Sequence, residues 1–189
     1  MDSALIVSET NTNIDFFTEM LHAAACNRIV SVSRCGDARR LLLERDFDLI
    51  IINAPLRDEF GENLARDIAA KGFSQVILLV KGEYFEEISA ITESDGVFTL
   101  KKPISKSIFR SALKLARAGY NQINRLRAEN SRLAQKIEDI RIIDRAKCIL
   151  ISYFNITEQE AHRFIEKQSM DMRMTRKEVA KGILKTYEK

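Results

Sequence analysis

The chain has 189 residues, 46% of them apolar and 30% charged, which is enough apolar material for a packed core with an ordinary polar surface. No apolar run approaches the roughly 18 residues that a membrane span needs. The opening MDSALIVSET lacks a signal-peptide pattern, and Cys26, Cys35 and Cys148 are too scattered for a disulfide framework or a zinc site. The net charge of +3 hides a division: residues 1–104 hold 11 Lys/Arg against 17 Asp/Glu, and residues 105–189 hold 19 against 10. A cytoplasmic protein without membrane attachment is expected, its acidic front half joined to a basic rear half suited to nucleic acid.

In chain order, residues 4–7 (ALIV) form a continuous apolar run, as in a strand buried on both faces. Ile14, Phe16, Phe17, Met20 and Leu21 then recur near a 3.6-residue period and predict a helix. Residues 29–32 read as a weaker strand broken by Ser31, residues 37–45 as a helix and residues 48–53 as a third, buried strand. Helix over 63–70, strand over 75–80, helix over 85–92 and strand over 96–100 complete the alternation. Short β and α segments in strict turn predict an α/β doubly wound, five-stranded parallel sheet. Functional groups in such a sheet lie beyond the carboxyl ends of the strands. Those ends carry Ser8-Glu9, Asn53, Val80-Lys81 and Lys101-Lys102-Pro103.

With Glu9, Gly61 and Lys102-Pro103 in these places, residues 1–120 resemble the receiver domain of response regulators in bacterial two-component systems, a flavodoxin-like fold. That family places two acids after the first strand, a phosphoryl-accepting aspartate after the third and a hydroxyl residue after the fourth. Here Ser8 replaces the first acid, Asn53 the aspartate and Val80 the hydroxyl residue. An amide is a very poor phosphoryl acceptor. Magnesium wants several carboxylate oxygens, and Glu9 alone is left to offer them. The resemblance therefore implies a pseudo-receiver that is not phosphorylated, with Asn53 at the acceptor position and Ser8, Glu9, Val80 and Lys102 around it. Lys102 either keeps a positive charge in this pocket or pairs with Glu9. A strand-to-helix turn would also account for Lys102-Pro103 without any role in the pocket.

From Ser105 to Arg145 the chain has no proline and one glycine, Gly119, placed where a last receiver helix would give way to a linker. Beyond it, Ile123, Leu126, Asn130, Leu133, Ile137 and Ile140 alternate by three and four, the seam of a coiled coil with Asn130 at an a position. The flanking charges fit less well, since Lys136 and Arg141 would meet as like charges in a parallel pair. A homodimer through a linker helix over 121–141 is expected; a single helix laying this stripe on its own receiver is the competing reading.

The last part, 142–189, reads as three short amphipathic helices. Thr157 stands three residues before Glu160, and Thr175 three before Glu178, so each of the last two helices opens on a capping box. Ala146, Ile149, Leu150 and Tyr153 share one face of the first helix. Ala161, Phe164, Ile165, Ser169 and Met172 share one face of the second, and Val179, Ala180, Ile183 and Leu184 one of the third. Met170, Met172 and Met174 are expected as core filler. Facing outward are Arg145, Lys147, Arg163, Lys167, Arg173, Arg176 and Lys177, with His162 and Tyr153 as rings that could stack on bases.

Arg145-Ala146-Lys147, then Ile149-Leu150, then Thr157 with Ala161-His162, Ile165, Met170, Val179-Ala180 and Ile183-Leu184, resemble the ANTAR domain. That family is an RNA-binding antitermination module commonly carried by response regulators. The resemblance implies binding of a two-hairpin leader transcript; the outward groups available to contact it are Arg145, Lys147, His162, Arg163, Lys167, Arg173, Arg176 and Lys177, of which Lys147 matches the family's motif. With two histidines, no activated Ser or Cys and no glycine-rich phosphate loop, neither an enzyme nor a metal or cofactor site is expected. The other readings are an adaptor whose receiver face is held by a regulatory protein partner, and a DNA-binding regulator. The latter is disfavoured because the joint between the first two helices lacks the short glycine turn of a helix-turn-helix.

Overall fold

The computed structural model describes residues 1–187. Five strands, β1 (Ser3–Val7), β2 (Arg28–Val32), β3 (Leu49–Asn53), β4 (Gln75–Lys81) and β5 (Phe98–Lys102), form one all-parallel sheet in the order β2-β1-β3-β4-β5. Between them run α1 (Asn11–Ala23), α2 (Cys35–Glu44), α3 (Glu62–Lys71) and α4 (Phe85–Thr92). Then follow α5 (Lys106–Phe154), α6 (Glu158–Asp171) and α7 (Arg176–Tyr187). The doubly wound parallel architecture is as the apolar runs predict. Alternate residues of each central strand supply the two layers. Leu5, Val7, Ile50, Ile52, Leu78 and Val80 pack in one with α2, α3 and α4. Ala4, Ile6, Leu49, Ile51, Ile77 and Leu79 pack in the other with α1 and the start of α5.

Several boundaries differ from the sequence expectation by one or two residues, and the helix expected to begin near residue 142 is the end of α5. β5 starts at Phe98 instead of residue 96 and runs on through Lys101 and Lys102, which pair with Val80 and Lys81. Gly96 takes the left-handed conformation (φ 79°) that ends the preceding 3-10 turn, so it serves the turn and not the strand. Gly119 ends no helix. The helix runs through it, and a side chain there would meet the Gln75 amide oxygen at 3.3 Å. Close approach of another side chain is the reason for glycine at this point.

The chain divides into two compact units, residues 1–124 and 125–189, with α5 contributing to both. In the first, the Tyr120 hydroxyl donates to Asp48, which also accepts from the backbone N–H groups of Asp2 and Ser3. Burial alone would raise the Asp48 carboxyl; these donors outweigh it and hold the group below the usual range. In the second unit, Ala146 and Leu150 of α5, Ala161 and Ile165 of α6, and Val179, Ala180 and Ile183 of α7 form a small core. Three alanines at the contact let the helices approach closely.

Both capping boxes are formed. Thr157 and Thr175 each donate their backbone N–H to the glutamate three residues on at 2.8 Å and accept that residue's N–H on the hydroxyl at 3.3 Å. The Glu160 and Glu178 carboxyls are held below the usual glutamate range, first by these backbone N–H groups and then by the hydroxyls. A lowered folded-state value gives stability that is present at neutral pH and lost as pH falls below about 4.3 through that value. Replacing either threonine by alanine should cost about 1 kcal/mol. Thermal melts at neutral pH should show that loss, and Glu160→Gln/Glu178→Gln should flatten the acid limb of stability against pH.

The methionine expectation is corrected. Met170, Met172 and Met174 are 70%, 59% and 44% exposed, and Phe164, placed on the core face of α6, is 44% exposed. Only the narrow stripe of Ala161 and Ile165 is covered on α6, because a three-helix unit offers it just two neighbours. Tyr153 is also exposed, in ring contact with Tyr187 at 5.3 Å.

Candidate functional site

Two groups of residues carry the functional reading, one in each unit. In the first, the ends of β1, β3, β4 and β5 bring Ser8, Asn53, Val80 and Lys102 together. Ser8, Asn53 and Val80 are buried. Asn53 donates its side-chain amide to the Ser8 hydroxyl at 3.1 Å, and its oxygen accepts from Lys102 Nζ at 2.9 Å. Lys102 also donates to the Ala54 carbonyl. Both acceptors of the Lys102 ammonium are thus uncharged. Burial, reinforced by the nearby Lys81, pushes the Lys102 ammonium below its ordinary value.

Lys102 does not pair with Glu9. The carboxylate of Glu9 instead lies 3.7 Å from Arg57 Nε, which draws it away from the lysine. The Lys102 side chain is directed into the pocket by its bonds to Asn53 and the Ala54 carbonyl. Sequence reasoning placed Lys81 at a strand end without adding it to the pocket. Its pairing with Lys102 across β4 and β5 is a matter of register, which composition does not reveal.

In the second unit, the eight basic or ring-bearing residues fall into two sets. His162, Arg163, Lys167 and Arg173 are exposed on α6 and at its end, and Arg173 has left-handed backbone (φ 53°) that turns the chain toward α7. Lys147 differs: its side chain is only 16% exposed and its ammonium lies 2.8 Å from both Asp144 and Glu158. Those two carboxylates, Asp144 foremost, raise its proton affinity. Lys177 lies 2.6 Å from Asp139, and Arg176 lies 3.9 Å from Glu166. Arg145 is exposed and has a partner within the chain. The spacing signal that marked seven of them as outward basic groups, and His162 as a ring, could not show which cations are already neutralised.

Along α5, the seam residues Leu126, Leu133, Ile137 and Ile140 are 53%, 46%, 53% and 58% exposed, and Asn130 is exposed. Ile123 alone is half-buried. Among the described residues of the second unit, no other helix covers Leu126, Leu133, Ile137 or Ile140. Among the described residues, no helix is long and apolar enough to cross a membrane, and no cluster of His, Cys, Asp and Glu could hold a metal ion.

Residues 131–184 match the ANTAR domain family. The chain joins a receiver-like fold to an ANTAR domain, which is the arrangement of an ANTAR response regulator. It is 28% identical over 139 residues to the transcriptional regulatory protein PdtaR of Mycobacterium tuberculosis, covering 74% of this chain and 68% of that protein. The signal receiver domain of an HD domain-containing protein from Pseudomonas fluorescens Pf-5 superposes with a TM-score of 0.57 at 21% identity, over 65% of this chain and 91% of the other. A CheY-like receiver domain from Methylobacillus flagellatus gives 0.52 at 22% identity, over 61% of this chain and 98% of the other. The family match begins at residue 131, so it takes in part of the helix read from sequence as linker.

Proposed function

We propose that this ANTAR response regulator is an RNA-binding antitermination protein that engages two-hairpin leader RNA as a dimer, with a receiver domain that does not accept phosphate. The observation that carries the reading is the ANTAR match over residues 131–184, on a unit whose α6 exposes His162, Arg163 and Lys167. Exposed cations on phosphates and flat groups on splayed bases are the chemistry that RNA hairpin loops call for. Dimerisation rests on the uncovered a/d stripe from Leu126 to Ile140, with Asn130 fixing register. Transcription in vitro through a terminator preceded by two hairpins tests the reading. Added protein should raise read-through, and unchanged termination at saturating protein would refute it.

Loss of phosphorylation rests on the pocket chemistry. Asn53 supplies an amide where a carboxylate would attack, and Ser8 supplies a hydroxyl where a second acid would hold magnesium. Acetyl phosphate with magnesium should leave the mass of the purified chain unchanged. A phosphorylated species that vanishes when a residue of this pocket is replaced would overturn the point.

A further inference from the structure

Beside Asn53, on the face of the sheet shared by α1 and α5, a cleft of about 590 Å³ opens at the carboxyl ends of β3, β4 and β5. That is the size of a small-molecule site, and the place where parallel sheets bind ligands. One end is cationic. Lys81 and Lys102 both line it, on residues paired in register across β4 and β5. The two acceptors of Lys102, Asn53 Oδ1 and the Ala54 carbonyl, are uncharged. Lys81 has Glu83 no closer than 4.0 Å, both groups being well exposed, so that pair neutralises little. No acidic side chain is among the described residues that line the cleft.

The first turn of α1 adds to this. Thr12 lines the cleft there, the turn carries no acid, and Thr10 caps the helix without a side-chain hydrogen bond. The partial positive charge of that helix end therefore goes unopposed by a capping carboxylate. The rest of the wall is apolar: Phe16, Phe17, Leu79 and Ile104. Ammonium groups at one end and aromatic and aliphatic wall at the other select a ligand that is itself divided in this way.

We infer that the cleft between α1 and β5 binds a small organic anion, a carboxylate carrying an apolar body, whose charge is met by Lys81 and Lys102 and whose body lies against Phe16 and Ile104. Such a ligand supplies the negative charge at the end of the sheet that a phosphorylated aspartate would otherwise bring. Binding here involves the first unit alone and stands whether or not the second binds RNA.

Calorimetric titration of the full chain with 1-naphthoate, phenylacetate and octanoate tests it, with neutral 1-naphthamide as the control. At least one anion should bind saturably at one per chain. The naphthoate should bind at least tenfold tighter than the amide, and its affinity should fall with salt. Lys81→Glu, at an exposed position, should weaken it tenfold or more, with circular dichroism unchanged. Lys102→Met should act in the same direction. Phe164→Ala, at an exposed position of α6 in the C-terminal unit, should have no effect. Binding by none of the three anions, equal binding of acid and amide, or an affinity that survives Lys81→Glu but drops with Phe164→Ala, would each overturn the inference.

Discussion

Leu126→Glu is expected to yield a monomer in light scattering, with the circular dichroism and melting of the receiver-like unit unchanged. Leu126 is half exposed in the single chain and touches no part of either core, so a charge there costs the isolated fold little. In a two-stranded seam it would stand at a d position, where each chain would bury a carboxylate against its copy. The effect on RNA is expected to be larger than that of any single side chain at the RNA surface. Two linked recognition units gain about 10² to 10⁴ in avidity over one, and that gain disappears with the dimer. Affinity for two-hairpin RNA should therefore fall by at least two orders of magnitude, while affinity for a single hairpin changes little. A dimer that persists in Leu126→Glu would remove the seam from the account.

Arg163→Glu/Lys167→Glu is expected to weaken the proposed RNA binding by on the order of a hundredfold, taking about 1.5 kcal/mol for each charge-assisted hydrogen bond to phosphate. The two residues are exposed and one turn apart on α6, and neither contributes to the core formed by Ala161 and Ile165. The slope of log affinity against log salt should become shallower by about 1.4, at roughly 0.7 for each phosphate on single-stranded segments that is no longer neutralised. Lys147→Gln should behave differently although Lys147 belongs to the family's motif. Its ammonium already joins Asp144 on α5 to Glu158 on α6. Its removal should lower the melting temperature of the C-terminal unit and leave the salt slope nearly intact. A shallower slope in Lys147→Gln would make it a phosphate-binding residue after all.

The contrast between these lysines shows what the sequence can and cannot reveal. The central strands were legible because ALIV, LIIIN and QVILLV are apolar at every position or nearly so, a pattern that only burial on both faces explains. The two Thr-x-x-Glu boxes were legible because their bonds join residues three apart. Features that depend on distant partners were not. Gly119 looked like a helix end, yet its reason is Gln75, and Tyr120 gave no sign of its bond to Asp48. The exposed methionines were misjudged because apolar periodicity names a face without saying how much of it a neighbour covers. At the strand ends of the first unit, the identities of Ser8 and Asn53 could be read directly. The turning of Glu9 to Arg57 and of Lys102 to Asn53 could not, since each depends on side-chain direction at strand ends.

A dimer of ANTAR units meeting two RNA hairpins is central to the proposed function. Its most direct test is a gel-shift titration of the full chain at fixed salt against two-hairpin RNA, each hairpin alone, and duplex DNA of the same length. Tight one-dimer binding to the two-hairpin RNA is expected, weaker by a hundredfold or more for either hairpin alone and for DNA. Equal affinity for one hairpin and two, or preference for the duplex, would contradict it.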